Sequence, residues 1–229
     1  MGIQQRYARL VAELEQRCAD AGRDAGEVRL IAVSKTVDLD GVGEALEAHA
    51  VDFGENRPDQ IVRKAGAFPQ ARWHFIGNIQ SRRIPDIVAS STLIHSLFDL
   101  SHAKKIDSCA RELGKVQDVL VEVNVSGEES KSGVTPGQAR AFVFACCEME
   151  NLSVRGLMTM APIDDLDTAR ACFKGLKTLA DDIRAELEPA QAARFTELSM
   201  GMSDDWHEAV AAGSTMVRIG RAIFSDDFE

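Results

Sequence analysis

The sequence contains one tyrosine, Tyr7, and five cysteines that form no CxxC pair and have no histidine beside them. Cys18, Cys109, Cys146, Cys147 and Cys172 read as reduced thiols packed as small apolar groups, because an odd number without a spacing framework argues against a disulfide scaffold or a redox motif. The five histidines are scattered. His95 and His102 stand seven apart, but one follows a strand and the other lies in a helix, so no metal site is expected. No apolar run approaches the roughly 18 residues that span a bilayer, and the first twenty residues are polar and charged rather than signal-like. A cytoplasmic protein is expected. Positive charge is in deficit, 26 Lys and Arg against 36 Asp and Glu, for a net charge of −10. The chain therefore has no global electrostatic reason to bind nucleic acid or an anionic membrane. No Pro/Gly/Ser-rich linker interrupts the 229 residues, so one domain is expected over 1–229, with 1–26 as an N-terminal helix and lead-in.

What the sequence does contain is a regular alternation. Short apolar or β-branched runs recur at 28–34, 51–54, 73–77, 93–96, 119–124, 154–160, 196–200 and 216–219. Segments with helical spacing separate them at 41–49, 57–65, 79–89, 100–113, 136–148, 166–187 and 204–212, several introduced by residues suited to helix starts, such as Asp40, Asp99, Thr135-Pro136 and Ser203-Asp204-Asp205. Eight β-then-α units with right-handed crossovers predict an α/β fold closed into a (β/α)8 TIM barrel, with an open doubly wound sheet as the alternative. The leading segment 2–21, with Tyr7, Leu10, Val11 and Leu14 near helical spacing, predicts an extra helix covering the closed end.

In such a barrel the chemistry collects where the strands end. Those ends carry Ser34-Lys35, Glu55-Asn56, His74 to Asn78, His95-Ser96, Glu122 to Asn124, Met158 to Met160, Ser199 to Ser203 and Arg218 to Arg221. Lys35 follows an apolar strand directly. It is either a snorkelling surface lysine or a partly buried amine kept as the free base to attack a carbonyl. Ser199-Met-Gly-Met-Ser203 and Arg218-Ile-Gly220 would close the seventh and eighth strands, where barrels of this kind hold phosphate through glycine backbone, N–H groups, hydroxyls and a fixed cation. The first and eighth strands are neighbours in a closed barrel. An aldehyde at Lys35 and a phosphate at that corner would fit one cofactor, pyridoxal 5′-phosphate (PLP).

The stretches "AVSKT", "DFGENR", "WHFIGNIQ", "VEVNVSGEESKSG", "RGLMTMAP" and "ELSMGMSDDWHEAVAAGSTMVRIG" occur in this order. Through them the chain, from about 21 to 224, resembles the pyridoxal phosphate homeostasis family, which has the alanine racemase N-terminal-domain-like fold. The resemblance implies that Lys35 is the Schiff-base lysine, that the turn from Ser199 to Ser203 and the Gly220-Arg221 backbone hold the phosphate, and that Arg218 lies near the cofactor. It also implies that Asn56, Asn78, Met160 and Met202 line the pocket. Three places depart from the family pattern: Arg57-Pro58-Asp59-Gln60 after "FGEN", Arg82-Arg83 after "WHFIGNIQ", and Arg221 where a threonine is common. The last would exchange a hydroxyl contact to phosphate for a guanidinium contact.

Catalysis is not expected. Racemisation needs acid/base groups on both faces of the substrate, and in alanine racemases the second is a tyrosine from an added β domain. Here the sequence ends nine residues after Gly220, and Tyr7 stands at the wrong end of the barrel. An arginine at the pyridine nitrogen would also weaken the ring as an electron sink. A PLP-binding carrier or buffer is therefore expected, a monomer that passes PLP to apo-enzymes needing it, with a PLP-dependent racemase of low activity as the alternative. The loop "SGEESKSG" suggests a mobile gate in which Lys131 offers a second amine and Glu128 pairs with it. A cofactor-free lysine aldolase remains open. A dinucleotide site at Gly41-Val-Gly43 is disfavoured, because the third glycine is replaced by Leu46 and no strand-to-glycine turn precedes it.

Overall fold

The computed structural model describes residues 1–162 and 165–226; residues 163–164 and 227–229 of the range expected to form one domain lie outside the described residues. Eight parallel strands close into a barrel in chain order. They are β1 (Arg29–Val33), β2 (Asp52–Glu55), β3 (Arg72–Phe75), β4 (Leu93–Leu97), β5 (Gln117–Glu122), β6 (Leu152–Met158), β7 (Glu197–Ser199) and β8 (Met216–Ile219). The closing seam sets Leu30 opposite Val217 and Ala32 opposite Ile219, which excludes the open sheet. Near-continuous apolar runs are what strands covered on both faces require, and Leu30 to Val33 are all buried.

Seven helices follow β1 to β7 as the outer layer: α2 (Leu39–Glu47), α3 (Pro58–Ala67), α4 (Ile84–Ser90), α5 (Leu100–Glu112), α6 (Pro136–Cys147), α7 (Leu166–Glu186) and α9 (Trp206–Ala211). Their starts obey local chemistry. Asp99 accepts from the Ser101 N–H at 2.7 Å, and Thr135 forms a capping box with Gln138 ahead of Pro136. The single helix expected over 79–89 is instead a 3-10 turn, Ser81–Arg83, followed by α4. Pro85 explains the split, because a residue without an N–H fits the first turn of a helix and not its interior. Two short helices, α8 (Pro189–Ala192) and α10 (Arg221–Phe224), were not expected.

The leading helix α1 (Ile3–Asp20) does not cap the closed end as expected. It packs beside α2, α9 and α10, in the gap of the outer ring that the four-residue α10 leaves after β8. Leu10 and Leu14 are buried there, each worth roughly 1.5–3 kcal/mol. Polar pins hold both sides, Gln4 to Glu47 at 2.7 Å and His207 to Glu13 at 2.7 Å. The buried Arg6 donates to the Ile223 carbonyl at 2.7 Å and to Asp226 at 2.6 Å, which ties α1 to the end of α10.

Inside the bore, Ile31, Leu93, Leu120, Met158 and Met216 form a separate apolar cluster. Side chains two apart on a strand share a face. His95 therefore lies on the same face as Leu93, and Arg218 on the same face as Met216, each one pleat nearer the mouth.

Candidate functional site

The parallel, closed topology brings every expected site residue to one end of the barrel. Lys35 follows β1, Asn56 follows β2, Asn78 lies beyond β3, Met160 beyond β6, Met202 and Ser203 beyond β7, and Gly220 and Arg221 beyond β8. Lys35 is exposed rather than partly buried, and among the described residues its amine has no partner. Asn56 and Asn78 are exposed on the rim, while Met160, Met202, Ser203 and Gly220 are half-buried.

Lys35 has a rigid base. Directly beneath it, Lys64 of α3 is 1% exposed and donates to the Ser34 carbonyl at 2.8 Å and to Glu55 Oε1 at 2.5 Å. Glu55, wholly buried, also accepts from the Ser34 hydroxyl at 2.9 Å and from the Asn56 N–H at 3.3 Å. This ion pair locks the two strand tips that carry Lys35 and Asn56. The next tip is fixed sterically. A Cβ on Gly77 would come within 2.0 Å of the Asn56 carbonyl oxygen, so only glycine lets the β3 end pass there.

Opposite stands the β7 to α9 turn. Gly201 holds φ +96°, and a Cβ there would meet Ala209 at 2.6 Å. Asp205 folds back to accept from the Met202 N–H at 2.6 Å. Burial raises the Asp205 carboxyl, against the opposing effect of that N–H and of Arg218. Among the described residues, nothing bonds to the Ser203 N–H, the Ser203 hydroxyl or the Gly220 N–H. Three donors thus face the mouth without partners. The seam places the Gly220 donor beside the β1 end, for Gly220 packs against the Val33 carbonyl oxygen, 3.0 Å from where its Cβ would sit, and Ser203 follows β7, the strand next to β8.

Two expected contributors sit lower than the sequence suggests. Ser199 is fully buried, its hydroxyl taken by Arg218 Nη1 at 2.5 Å and His95 Nδ1 at 2.9 Å. Arg218, 4% exposed, also donates to the Thr159 carbonyl at 3.0 Å. Burial brings its guanidinium down to about 10, with Asp205 and Glu122 acting the other way through space. Arg221 is exposed, and its guanidinium meets the Asp204 carboxylate.

Several features escaped the sequence reading. His74 and His95, taken for groups at the strand ends, lie within β3 and β4 and point into the bore. Lys64 could have been found by its spacing, three residues after the buried Ile61 on one face of α3. Glu122, at the end of β5, is 2% exposed, and among the described residues nothing bonds to its carboxyl. Burial pushes that carboxyl up to about 7, against the pull of Arg218.

The loop after β5 is tied down by Asn124, which donates to the Glu128 and Lys131 carbonyls at 2.8 and 3.2 Å and accepts from the Gly127 N–H at 3.0 Å. Glu128 and Lys131 meet through the backbone, Lys131 N–H to Glu128 carbonyl at 3.1 Å, and not through the expected side-chain pair. Gly41 and Gly43 lie inside α2, so no dinucleotide-type turn exists there.

Residues 11–227 match the family model described as the alanine racemase N-terminal domain. Curated relatives named pyridoxal phosphate homeostasis protein include one from Aquifex aeolicus, 34% identical and covering 99% of both chains. Another from Deinococcus radiodurans is 41% identical over 94% of this chain and 98% of its own. Among solved structures, PipY of Synechococcus elongatus with PLP bound superimposes with a TM-score of 0.81 at 32% identity, over 93% of this chain and 100% of that one.

Proposed function

The chain belongs to the pyridoxal phosphate homeostasis proteins, built on the alanine racemase N-terminal domain, and from that membership we propose that it holds PLP on Lys35 as an intracellular carrier and buffer. PLP supplies an aldehyde that an amine can capture reversibly and a phosphate dianion. The donor set fits both. Among the described residues, Lys35 is an accessible, unpartnered amine after β1, the Gly220 N–H stands unpartnered at the end of the adjoining β8, and the Ser203 N–H and hydroxyl stand unpartnered after β7, one strand further on. That juxtaposition across the β1 to β8 seam is the observation that carries the reading.

The remaining roles follow from position. Met160 and Met202 offer soft apolar faces for a ring, Asn56 and Asn78 offer amides at the rim, and Arg218 approaches from below. The Arg221 backbone joins the phosphate corner, while its guanidinium is engaged by Asp204. Ser199 acts on Arg218 from underneath, so the hydroxyl grip on phosphate falls to Ser203. Amino-acid turnover lacks a second acid/base tyrosine at this mouth. Tyr7 is buried in α1, where burial and the neighbouring Asp52, at the floor end of β2, raise its phenol. The protein works as a cytoplasmic monomer that regulates free PLP, with PLP-requiring apo-enzymes as acceptors.

One observation favours a second reading, weak racemase-like activity. Among the described residues Glu122 is an unpartnered carboxyl that burial pushes up to about 7, the range in which a group can exchange protons. The deciding experiment mixes PLP-loaded protein with an apo-enzyme and follows activation, beside a search for amino-acid racemisation. Transfer without turnover supports the carrier. Turnover lost in Glu122→Gln, with no transfer, would replace it.

A further inference from the structure

Five buried polar side chains from five strands form an unbroken line across the bore. At the floor, Asp52 Oδ1 accepts from Arg72 Nε at 2.8 Å and lies 2.9 Å from His74 Nε2, while Oδ2 accepts from Arg72 Nη2 at 2.6 Å. His74 Nδ1 meets His95 Nε2 at 2.9 Å, and His95 Nδ1 meets Ser199 Oγ at 2.9 Å. Arg218 Nη1 completes the line on Ser199 Oγ at 2.5 Å. None of these five is more than 5% exposed, so a group that lost its partner would be left buried and costly.

The two ends dictate every proton between them. A guanidinium can only donate, and an ionised carboxylate can only accept. Burial alone would raise Asp52, but hydrogen bonds from His74 and Arg72 bring it below the usual carboxylate range. His74 must then carry its proton on Nε2, facing Asp52, and present Nδ1 as an acceptor. His95 must carry its own on Nε2 and accept the Ser199 hydroxyl proton at Nδ1. Ser199 keeps its lone pairs for Arg218. All donors point one way, from the mouth to the floor, and aligned chains of this kind strengthen one another. Burial lowers both imidazoles, His95 well below the ordinary range, so both stay neutral as the line requires.

Arg218 needs such support. Among the described residues no carboxylate bonds to it, and its other acceptor is the Thr159 carbonyl.

We propose that His95, with His74 and Asp52 behind it, forms a positioning relay that fixes the Arg218 guanidinium under the mouth by carrying the influence of a floor carboxylate through two Nε2-protonated histidines. The role of the relay toward PLP rests on the function proposed above; its proton arrangement does not.

Nitrogen NMR of the PLP-free chain labelled in histidine reads that arrangement without any variant. Neutral rings protonated on Nε2 at both positions at neutral pH are expected. A proton on Nδ1 of either ring, or a charged ring, overturns the relay. PLP retention then tests the positioning. Asp52→Asn, four hydrogen bonds from Arg218, and His95→Gln should each weaken it about tenfold or more, the loss that follows from one hydrogen bond to a charged group. Asp52→Glu should recover most of it. Lower melting temperatures with unchanged PLP retention would show a purely structural role and overturn the proposal. If Asp52→Asn fails to fold, His95→Gln and the wild-type tautomers decide. A wild-type chain that takes up no PLP overturns the function proposed above and leaves the relay judged by its tautomers.

Discussion

Removing the Lys64 amine leaves a buried carboxylate beneath the mouth without its cation. Its Nζ lies 2.5 Å from Glu55 Oε1 and 2.8 Å from the Ser34 carbonyl, in a place where neither side chain reaches solvent. Lys64→Met keeps the length of the chain but strands Glu55, which retains only the Ser34 hydroxyl at 2.9 Å and the Asn56 N–H at 3.3 Å. Removing one partner of a buried pair costs about 3–5 kcal/mol, because the other charge remains desolvated and uncompensated. Against the roughly 5–15 kcal/mol of an ordinary domain, that is a large fraction. Replacing both members, Lys64→Met with Glu55→Leu, removes the stranded charge and should recover about half of the loss or more. Urea unfolding measures each as a shift of midpoint at constant slope. PLP retention should fall in the single variant as well, since the carbonyl preceding Lys35 loses its clamp. A single-variant loss below about 1 kcal/mol, or a double variant less stable than the single, would refute the reasoning.

Titration of the bore offers a second test. As the pH falls below about 6.5, unfolded chains take up protons on His74 and His95 more readily than the folded chain, whose imidazoles burial lowers, while folded Glu122 keeps a proton that unfolded chains release. The histidines make stability fall as the pH falls and Glu122 opposes them, each group contributing at most about 1.4 kcal/mol per pH unit, so the slope should be steeper in Glu122→Gln than in the wild type. Equal slopes in urea melts at several pH values would contradict this. Ser203→Ala should weaken PLP retention about tenfold while leaving pyridoxal, which lacks the phosphate, unaffected; equal losses for both would remove Ser203 from the phosphate corner. Lys131→Ala should slow transfer to an apo-enzyme without changing PLP retention, and unchanged transfer rates would confine the β5 loop to a structural role.

The barrel was legible because its strands are short apolar runs between helical spacings, and β8 was placed to the residue at Met216–Ile219. Its mouth was legible because polar groups and glycines end those runs. What remained hidden depends on contacts distant in sequence. Lys64 and Glu55 are nine apart and look like ordinary surface charges until α3 is laid over the β1 and β2 tips. His95 and Ser199 are separated by 104 residues and meet only once the barrel closes. The position of α1 was misjudged for the same reason, since the short α10 that leaves room for it has no periodicity to announce it.

Borohydride reduction of the PLP-loaded protein, followed by peptide mapping, tests the central claim most directly. The account predicts a visible absorbance band that disappears on reduction, with the pyridoxyl mass found on the peptide containing Lys35 and absent in Lys35→Ala. A label on Lys131 or Lys64 instead, or a band that persists in Lys35→Ala, would contradict it.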